Sequence, residues 1–449
     1  MEYAPLPRDL ALFARDELAR FRVPGMSVGV VHGGQVYAQG FGITSIANPL
    51  AVTPETLFQI GSTSKTFTAT AAMMLAEEGR LDLEARVRHY LPDFALESEP
   101  DAERVTIRHL VTHRGGWVGD YFKDTGRGDD AIAKIVAKMV RSPQLVPAGT
   151  AFSYSNAGFY VVGRVKVITG EPFDAFIRSR IMLPLGMALS TYFPEDAMLH
   201  RFATGHILEE PGPRIAVPWR MPRSIGPGGG VISNAVEQAQ YLAFHLGDGS
   251  TAGGTRLLQT ATMAMMQSPQ ATAGSMCDEI GISWMLEEVG GERLVKHGGS
   301  TIGQLSSFEF VPSRGFGVTV LTNCDSGREL RQTVADACRV HFTGLSGHER
   351  HPSPRLPGNA ADFEGEYEAT LARLTVGRDG SALVVLEATS TGRTQVPLGT
   401  DGMHLGFFEP DRAVVLHGPR QGETTEFLRG PSGEVEWMRW DGRLARRRR

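Results

Sequence analysis

The chain has 449 residues, 41% of them hydrophobic and 21% charged, with a formal net charge of −5. That length exceeds one ordinary core and calls for two or three domains. The weakly acidic balance lacks the basic footprint of phosphate binding and excludes nucleic acid as a partner. The three cysteines (Cys277, Cys324 and Cys338) form no CxxC pair, so a disulfide framework or zinc site is not expected and a reducing compartment fits.

The N-terminus has no basic n-region and no apolar h-region, and acidic residues interrupt it early, so the chain reads as cytoplasmic. No run of 18 apolar residues occurs, and no membrane association is expected. Over residues 5–22, apolar positions at helical spacing (Leu10, Leu12, Phe13, Leu18 and Phe21) predict a helix that Val23-Pro24-Gly25 breaks. Two β-rich runs around Gly33-Gly34 then predict a hairpin. Residues 64–79, rich in Ala, Met and Leu and stopped by Gly79, predict a buried helix with the stretch GSTSK (61–65) at its N-terminus.

A mostly helical segment follows from about 80 to 245, with loops near 114–128 and 208–230. Strand patterns return in GISWMLEE, ERLVKHG, LSSFEFVP and FGVTVLTN, and a helix, RELRQTVADACRVHF, closes that part. Residues 346–361 are rich in Pro, Gly and Ser and read as a linker. From residue 362 short alternating runs recur (GEYEAT, RLTVGR, ALVVLEA, TQVPLG, MHLGFF, AVVLHG, TEFLRG, VEWMRW). Such spacing predicts a small antiparallel β-barrel or sandwich.

Three short motifs carry the chemistry. Ser62 and Lys65 stand at i and i+3, so a helix would bring the ammonium to the hydroxyl beside free N–H groups that suit an oxyanion. A desolvated lysine there has a depressed pKa and serves as a base, although the same stretch also reads as a helix cap. Tyr154-Ser155-Asn156 offers a proton-carrying hydroxyl and an amide to hold a carbonyl. In Lys296-His297-Gly298-Gly299-Ser300, the glycines allow close backbone approach and the histidine donates a hydrogen bond or carries charge.

In this order (SxxK, YxN about 90 residues on, HxG about 140 further) the motifs resemble the serine β-lactamase and penicillin-binding protein superfamily. The closest likeness is to the class C-like group, with its D-aminopeptidases, D-stereospecific peptidases, DD-carboxypeptidases and family VIII esterases. The stretches VPGMSVGVVHGGQVYAQGFG, LFQIGSTSKTFTA, IRHLVTHRGG, PAGTAFSYSNAGFYVVG, LPLGM, GPGGGVIS and HGGSTIG carry it over residues 5–343. The segment from Asp362 resembles the lipocalin-like barrel appended to several of these hydrolases.

The resemblance implies an α/β (α+β) hydrolase domain over 1–345, an antiparallel sheet flanked by helices with a helical subdomain, and a barrel over 362–449. It implies Ser62 as acylated nucleophile, Lys65 and Tyr154 as its proton-transfer partners, and Asn156 orienting the substrate amide. The backbone N–H groups of Ser62 and Ser300 would form the oxyanion hole, and His297, Gly298, Gly299 and Ser300 would bind substrate. No metal or cofactor is implied. The expected partner is a small-molecule or peptide substrate, with homo-oligomerisation left open. Many relatives have Lys-Thr-Gly where this chain has His297-Gly298-Gly299, which weakens the case for β-lactams or a C-terminal D-Ala carboxylate and favours the aminopeptidase, amidase and esterase branches. With the appended barrel and the absence of an export signal, the preferred expectation is a D-stereospecific peptidase or amidase. The alternatives are a carboxylesterase, a weak β-lactamase, a cyclising thioesterase and an acylated β-lactam sensor.

Other features read more plainly. His109 and His113 stand four apart without the glutamate of a zinc motif, GPGGGV (226–231) lacks the ending of a phosphate loop and reads as a tight turn lining the cleft, and Arg446 to Arg449 read as a solvated tail.

Overall fold

The N-terminal hairpin joins the late strands in one antiparallel sheet of eight strands. Across the sheet they run Gln35–Gly42, Gly25–His32, Phe316–Thr322, Leu305–Val311, Glu292–Ser300, Met285–Val289, Glu279–Ile280 and Ala271–Thr272. Val28 lies opposite Val320, and Ser300 opposite Leu305. The computed structural model describes residues 2–164, 166–347, 350–353, 357–380, 382–390, 402–417 and 420–448.

Helices cover both faces of the sheet, so the strands Gly25–His32, Leu305–Val311 and Phe316–Thr322 are buried at nearly every position instead of on alternate ones. Val28, Val30, Val318 and Val320 face the helices Arg8–Arg20 and Gly327–Thr343 through Leu10, Leu330 and Val334. Val31, Phe308, Phe310 and Leu321, one step out of phase, face the helix Ala235–Leu246 through Tyr241 and Leu242. Each such side chain contributes about 1.5–3 kcal/mol by burial.

The helix Ser64–Glu77 runs through the main core, and every residue from Ser64 to Leu75 is buried. Ala, Thr and Met suit a helix enclosed on all sides, because no polar face has to be left for water. Part of the expected loop 208–230 is ordered by local pairing. His206–Leu208 pairs with Pro213–Ile215, and Gly226–Gly229 forms one turn of helix. Among the described residues, no helix is long and apolar enough to cross a membrane.

The C-terminal region closes into an eight-stranded antiparallel barrel, Gly365–Glu368 to Arg443–Arg447, around Phe363, Tyr367, Phe407 and Phe427. Closure leaves no unpaired edge. The expected strand TQVPLG lies outside the described residues. The tail expected from Arg446 begins inside a strand, although Arg446 and Arg448 are exposed as expected and Arg449 lies outside the described residues. Arg443–Arg447 is the closing strand, with Arg446 opposite both Trp437 and Glu368. Leu444 and Ala445 are buried there, and the Arg446 guanidinium lies 5.6 Å from the Trp437 ring centre. An arginine stem packed on an indole is half apolar, which a count of charges hides.

Candidate active site

Ser62 sits in the 3-10 turn Gly61–Thr63, which runs straight into the helix Ser64–Glu77. It is not a helix cap, since neither element has a side-chain cap hydrogen bond. Its Oγ instead accepts a hydrogen bond from Lys65 Nζ at 3.0 Å. Gly61 has φ 53°, a left-handed conformation, and a Cβ there would stand 2.6 Å from Ser300 N. A side chain at Gly299 would collide with the carbonyl of Ile60. The two glycines therefore bring the strand end at Ser300 against the turn that carries Ser62. Ser306 locks the same contact, donating from Oγ to Ile60 O at 2.7 Å and lying 2.9 Å from Thr63 Oγ1.

Lys65 is 0% exposed. Besides Ser62 it donates to Asn156 Oδ1 and to Gly228 O, both at 2.6 Å. Burial, then the nearby Arg443 charge, depresses its pKa well below 10.5, while Asp120 opposes the shift. The helix Asn156–Val162 places the second motif. Ser155 caps it, accepting from Gly158 N at 3.0 Å, so Asn156 enters the first turn facing Lys65.

Tyr154 precedes the cap in extended chain. Its ring stacks on His113 at 4.4 Å between centres, and Lys65 Nζ is 4.9 Å from its centre. Burial raises the pKa of the Tyr154 hydroxyl, and its hydrogen bond with Ser62 only partly offsets this. The site thus combines an acidified ammonium with a phenol that keeps its proton, a pairing suited to moving a proton across Ser62.

Of the two expectations for His297, a hydrogen bond or a charge, the structure speaks against the charge. Its ring is buried, Nδ1 is 2.7 Å from Gly298 O, and Nε2 has no partner. Burial, then the Lys65 charge, pushes its pKa down to about 3, so it carries no charge near neutral pH. Lys296 turns to the other side of the strand and pairs with Glu287 at 2.7 Å. A cleft of about 1690 Å³, open to solvent, lies beside His297 and Gly298. It runs between the sheet, Arg328 and Arg331 of the last hydrolase-domain helix, and the barrel residues Gly422 and Asp441.

The structure brings Ser62, Lys65, Tyr154 and Asn156 into contact, with Ser300 against the turn that carries Ser62. It adds residues no motif announced. Asp120 Oδ1 accepts from Asn156 Nδ2 at 2.8 Å, and Arg443 Nε donates to Asp120 Oδ2 at 2.9 Å. Gly228, in the turn expected to line the cleft, supplies an acceptor to Lys65. His113 accepts on Nδ1 from Ser155 N at 2.9 Å, and His109 closes a capping box with Thr106. Among the described residues no group of His, Cys, Asp and Glu is gathered to hold a metal ion.

The β-lactamase family profile matches residues 11–339. Penicillin-binding protein 4 of Amycolatopsis lactamdurans is 37% identical over 358 residues, covering 77% of this chain and 93% of that protein. The unguisins hydrolase ungD' of Aspergillus campestris is 30% identical over 336 residues, 71% of this chain and 62% of that protein. A crystal structure of SurE has the same fold, with a TM-score of 0.77 at 24% identity and 98% of each chain covered, and its structure with D-Leu gives 0.76. The chain belongs to the β-lactamase family, a family of serine hydrolases.

Proposed function

We propose that this member of the β-lactamase family hydrolyses an amide or peptide bond next to a D-residue through an acyl-enzyme at Ser62. The observation that carries the reaction class is the 3.0 Å contact between Ser62 Oγ and the buried Lys65 Nζ. Deprotonated Lys65 takes the hydroxyl proton as Ser62 Oγ attacks the substrate carbonyl. The charge that develops on the carbonyl oxygen meets the N–H groups of Ser62 and Ser300, at the positive end of a 14-residue helix. Donors of this kind are worth about 3–4 kcal/mol each in the transition state.

Tyr154, whose proton is held by burial, delivers a proton to the leaving amine and is recharged through Lys65. Asn156, fixed by Asp120, orients the substrate amide. Water then attacks the acyl-enzyme by the reverse proton path.

Two observations support the substrate class. Uncharged His297 stands where many relatives present a lysine, so this position offers a substrate carboxylate no fixed cation. SurE, similar over the whole chain, has been solved with D-Leu. Matched D- and L-aminoacyl p-nitroanilides test this reading, with the D-isomers expected to turn over at least about tenfold faster. Equal rates for the two isomers would remove the stereochemical part of the proposal.

A further inference from the structure

The barrel touches the hydrolase domain at the motif strand itself. Arg439 Nε donates to Phe152 O at 3.0 Å, Leu444 N to Ser153 Oγ at 3.3 Å, and Tyr154 N to Gly442 O at 2.8 Å. Three successive residues, ending at Tyr154, are thus held by the hairpin formed by Val435–Trp440 and Arg443–Arg447. Its turn, Asp441-Gly442, projects Arg443 inward. The Arg443 guanidinium lies 4.7 Å from the Tyr154 ring centre and grips Asp120 through Nε at 2.9 Å and Nη2 at 3.3 Å.

Asp120 is the hinge of this arrangement. Its side chain is 4% exposed, and the Oδ1 atom that Arg443 touches also accepts from Asn156. Asn156 in turn accepts from Lys65. An unbroken path of hydrogen bonds therefore runs from the barrel to the lysine beside Ser62. A module serving only to pack against its neighbour gains little from a desolvated ion pair, which costs free energy unless its geometry is held closely. Here the pair is fixed on one side by Asp441, which accepts from Arg443 Nη1 at its backbone O, 2.8 Å away.

We propose that the barrel completes the active site, and that Arg443 is a positioning residue that acts through Asp120 and Asn156 to hold Lys65 against Ser62. This rests on the reading of Ser62 and Lys65 as nucleophile and base. It gives the appended barrel a part in the chemistry. The charged and titratable groups facing Lys65 are Asp120 from the loop before the motif, Arg443 from the barrel, Tyr154, His113 and His297. Arg443 disfavours the lysine's proton and Asp120 favours it, so the two partners pull in opposite directions.

The experiment uses the full chain and Arg443→Met, Arg443→Lys and Asp120→Asn. The rate at which a fluorophosphonate labels Ser62 is followed by intact mass across pH. Arg443→Met leaves Asp120 unopposed, so the rise of the rate with pH moves to higher pH, and a move of one unit slows labelling about tenfold below it. Arg443→Lys keeps the charge and restores most of the rate. Asp120→Asn keeps an oxygen for Asn156 and removes the negative charge, so the rise moves to lower pH.

Opposite displacements support the inference, because general loosening of the site moves both variants the same way. Unchanged profiles, or displacements of one sign, overturn it. If Arg443→Met does not fold, Arg443→Gln, which keeps hydrogen-bond donors without the charge, takes its place beside Asp120→Asn: opposite displacements support the inference, and unchanged or like-signed ones overturn it. A wild-type protein that never labels at Ser62 removes the nucleophile reading itself, and this inference with it.

Discussion

Lys65 Nζ lies 2.6 Å from Asn156 Oδ1 and 3.0 Å from Ser62 Oγ, and its third acceptor is the carbonyl of Gly228. All three are neutral, and the carboxylate of Asp120 acts on the lysine from behind Asn156. A fully buried ammonium with only neutral acceptors loses more in desolvation than it regains, which is why its proton is weakly held. The folded pKa is lowered, so the active amine is populated above that pKa and turnover should climb with pH there, well before 10.5. Lys65→Arg, which stays charged, should lose at least about a thousandfold in kcat/KM at every pH. A flat pH profile in the wild type would contradict the assignment of the base.

Gly61 tests the oxyanion arrangement. Its φ is 53°, and an added Cβ would stand only 2.6 Å from Ser300 N, which leaves no room for a methyl group. Gly61→Ala should destabilise the protein by about 1–2 kcal/mol through backbone strain alone. It should also cut kcat more than it raises KM, because the N–H groups of Ser62 and Ser300 matter chiefly once charge has developed. Urea midpoints and steady-state kinetics on one preparation measure both effects. Unchanged kcat would mean that the approach of Ser300 to this turn is unconnected with the reaction.

His245 offers a stability prediction away from the site. Its ring is buried with neither nitrogen partnered, edge-on to Tyr241 at 4.5 Å and to Trp284 at 4.9 Å. Burial pushes its pKa down to about 3 from 6.5. The unfolded chain therefore binds a proton between those values that the folded one refuses. Stability falls as pH drops through 6.5, and the loss is complete below 3. At pH 4 this amounts to about 3 kcal/mol relative to pH 7. His245→Phe, which suits the aromatic surroundings, should flatten the acid side of the stability profile. Denaturant midpoints at pH 7 and pH 4 check it, and an equal acid loss in the variant would count against this origin.

The sequence made part of this legible because some of the contacts are local. Ser62 and Lys65 are one helical turn apart, and Tyr154 and Asn156 straddle a helix cap, so their spacing carries geometry. The sheet followed from the Gly33-Gly34 hairpin and four later apolar runs that had to find a common partner. Asp120 and Arg443 had no such signal, since they come from separate loops and domains and meet only after folding, whereas Gly228 lay in the turn expected to line the cleft, without its role as acceptor for Lys65 being legible. His297 was expected to donate a hydrogen bond or carry charge; its burial, which depends on how the strands pack, keeps it neutral. The closing barrel strand was hidden by its arginines, whose stems and neighbours, Leu444 and Ala445, do the packing.

The most direct measurement of the central claim is the intact mass of the enzyme quenched during turnover of a D-aminoacyl p-nitrophenyl ester. The wild-type chain should gain the mass of one acyl group, located by peptide mapping on the Ser62 peptide, and Ser62→Ala should gain none while keeping its fold. An adduct on any other residue, or turnover that persists in Ser62→Ala, would contradict the account.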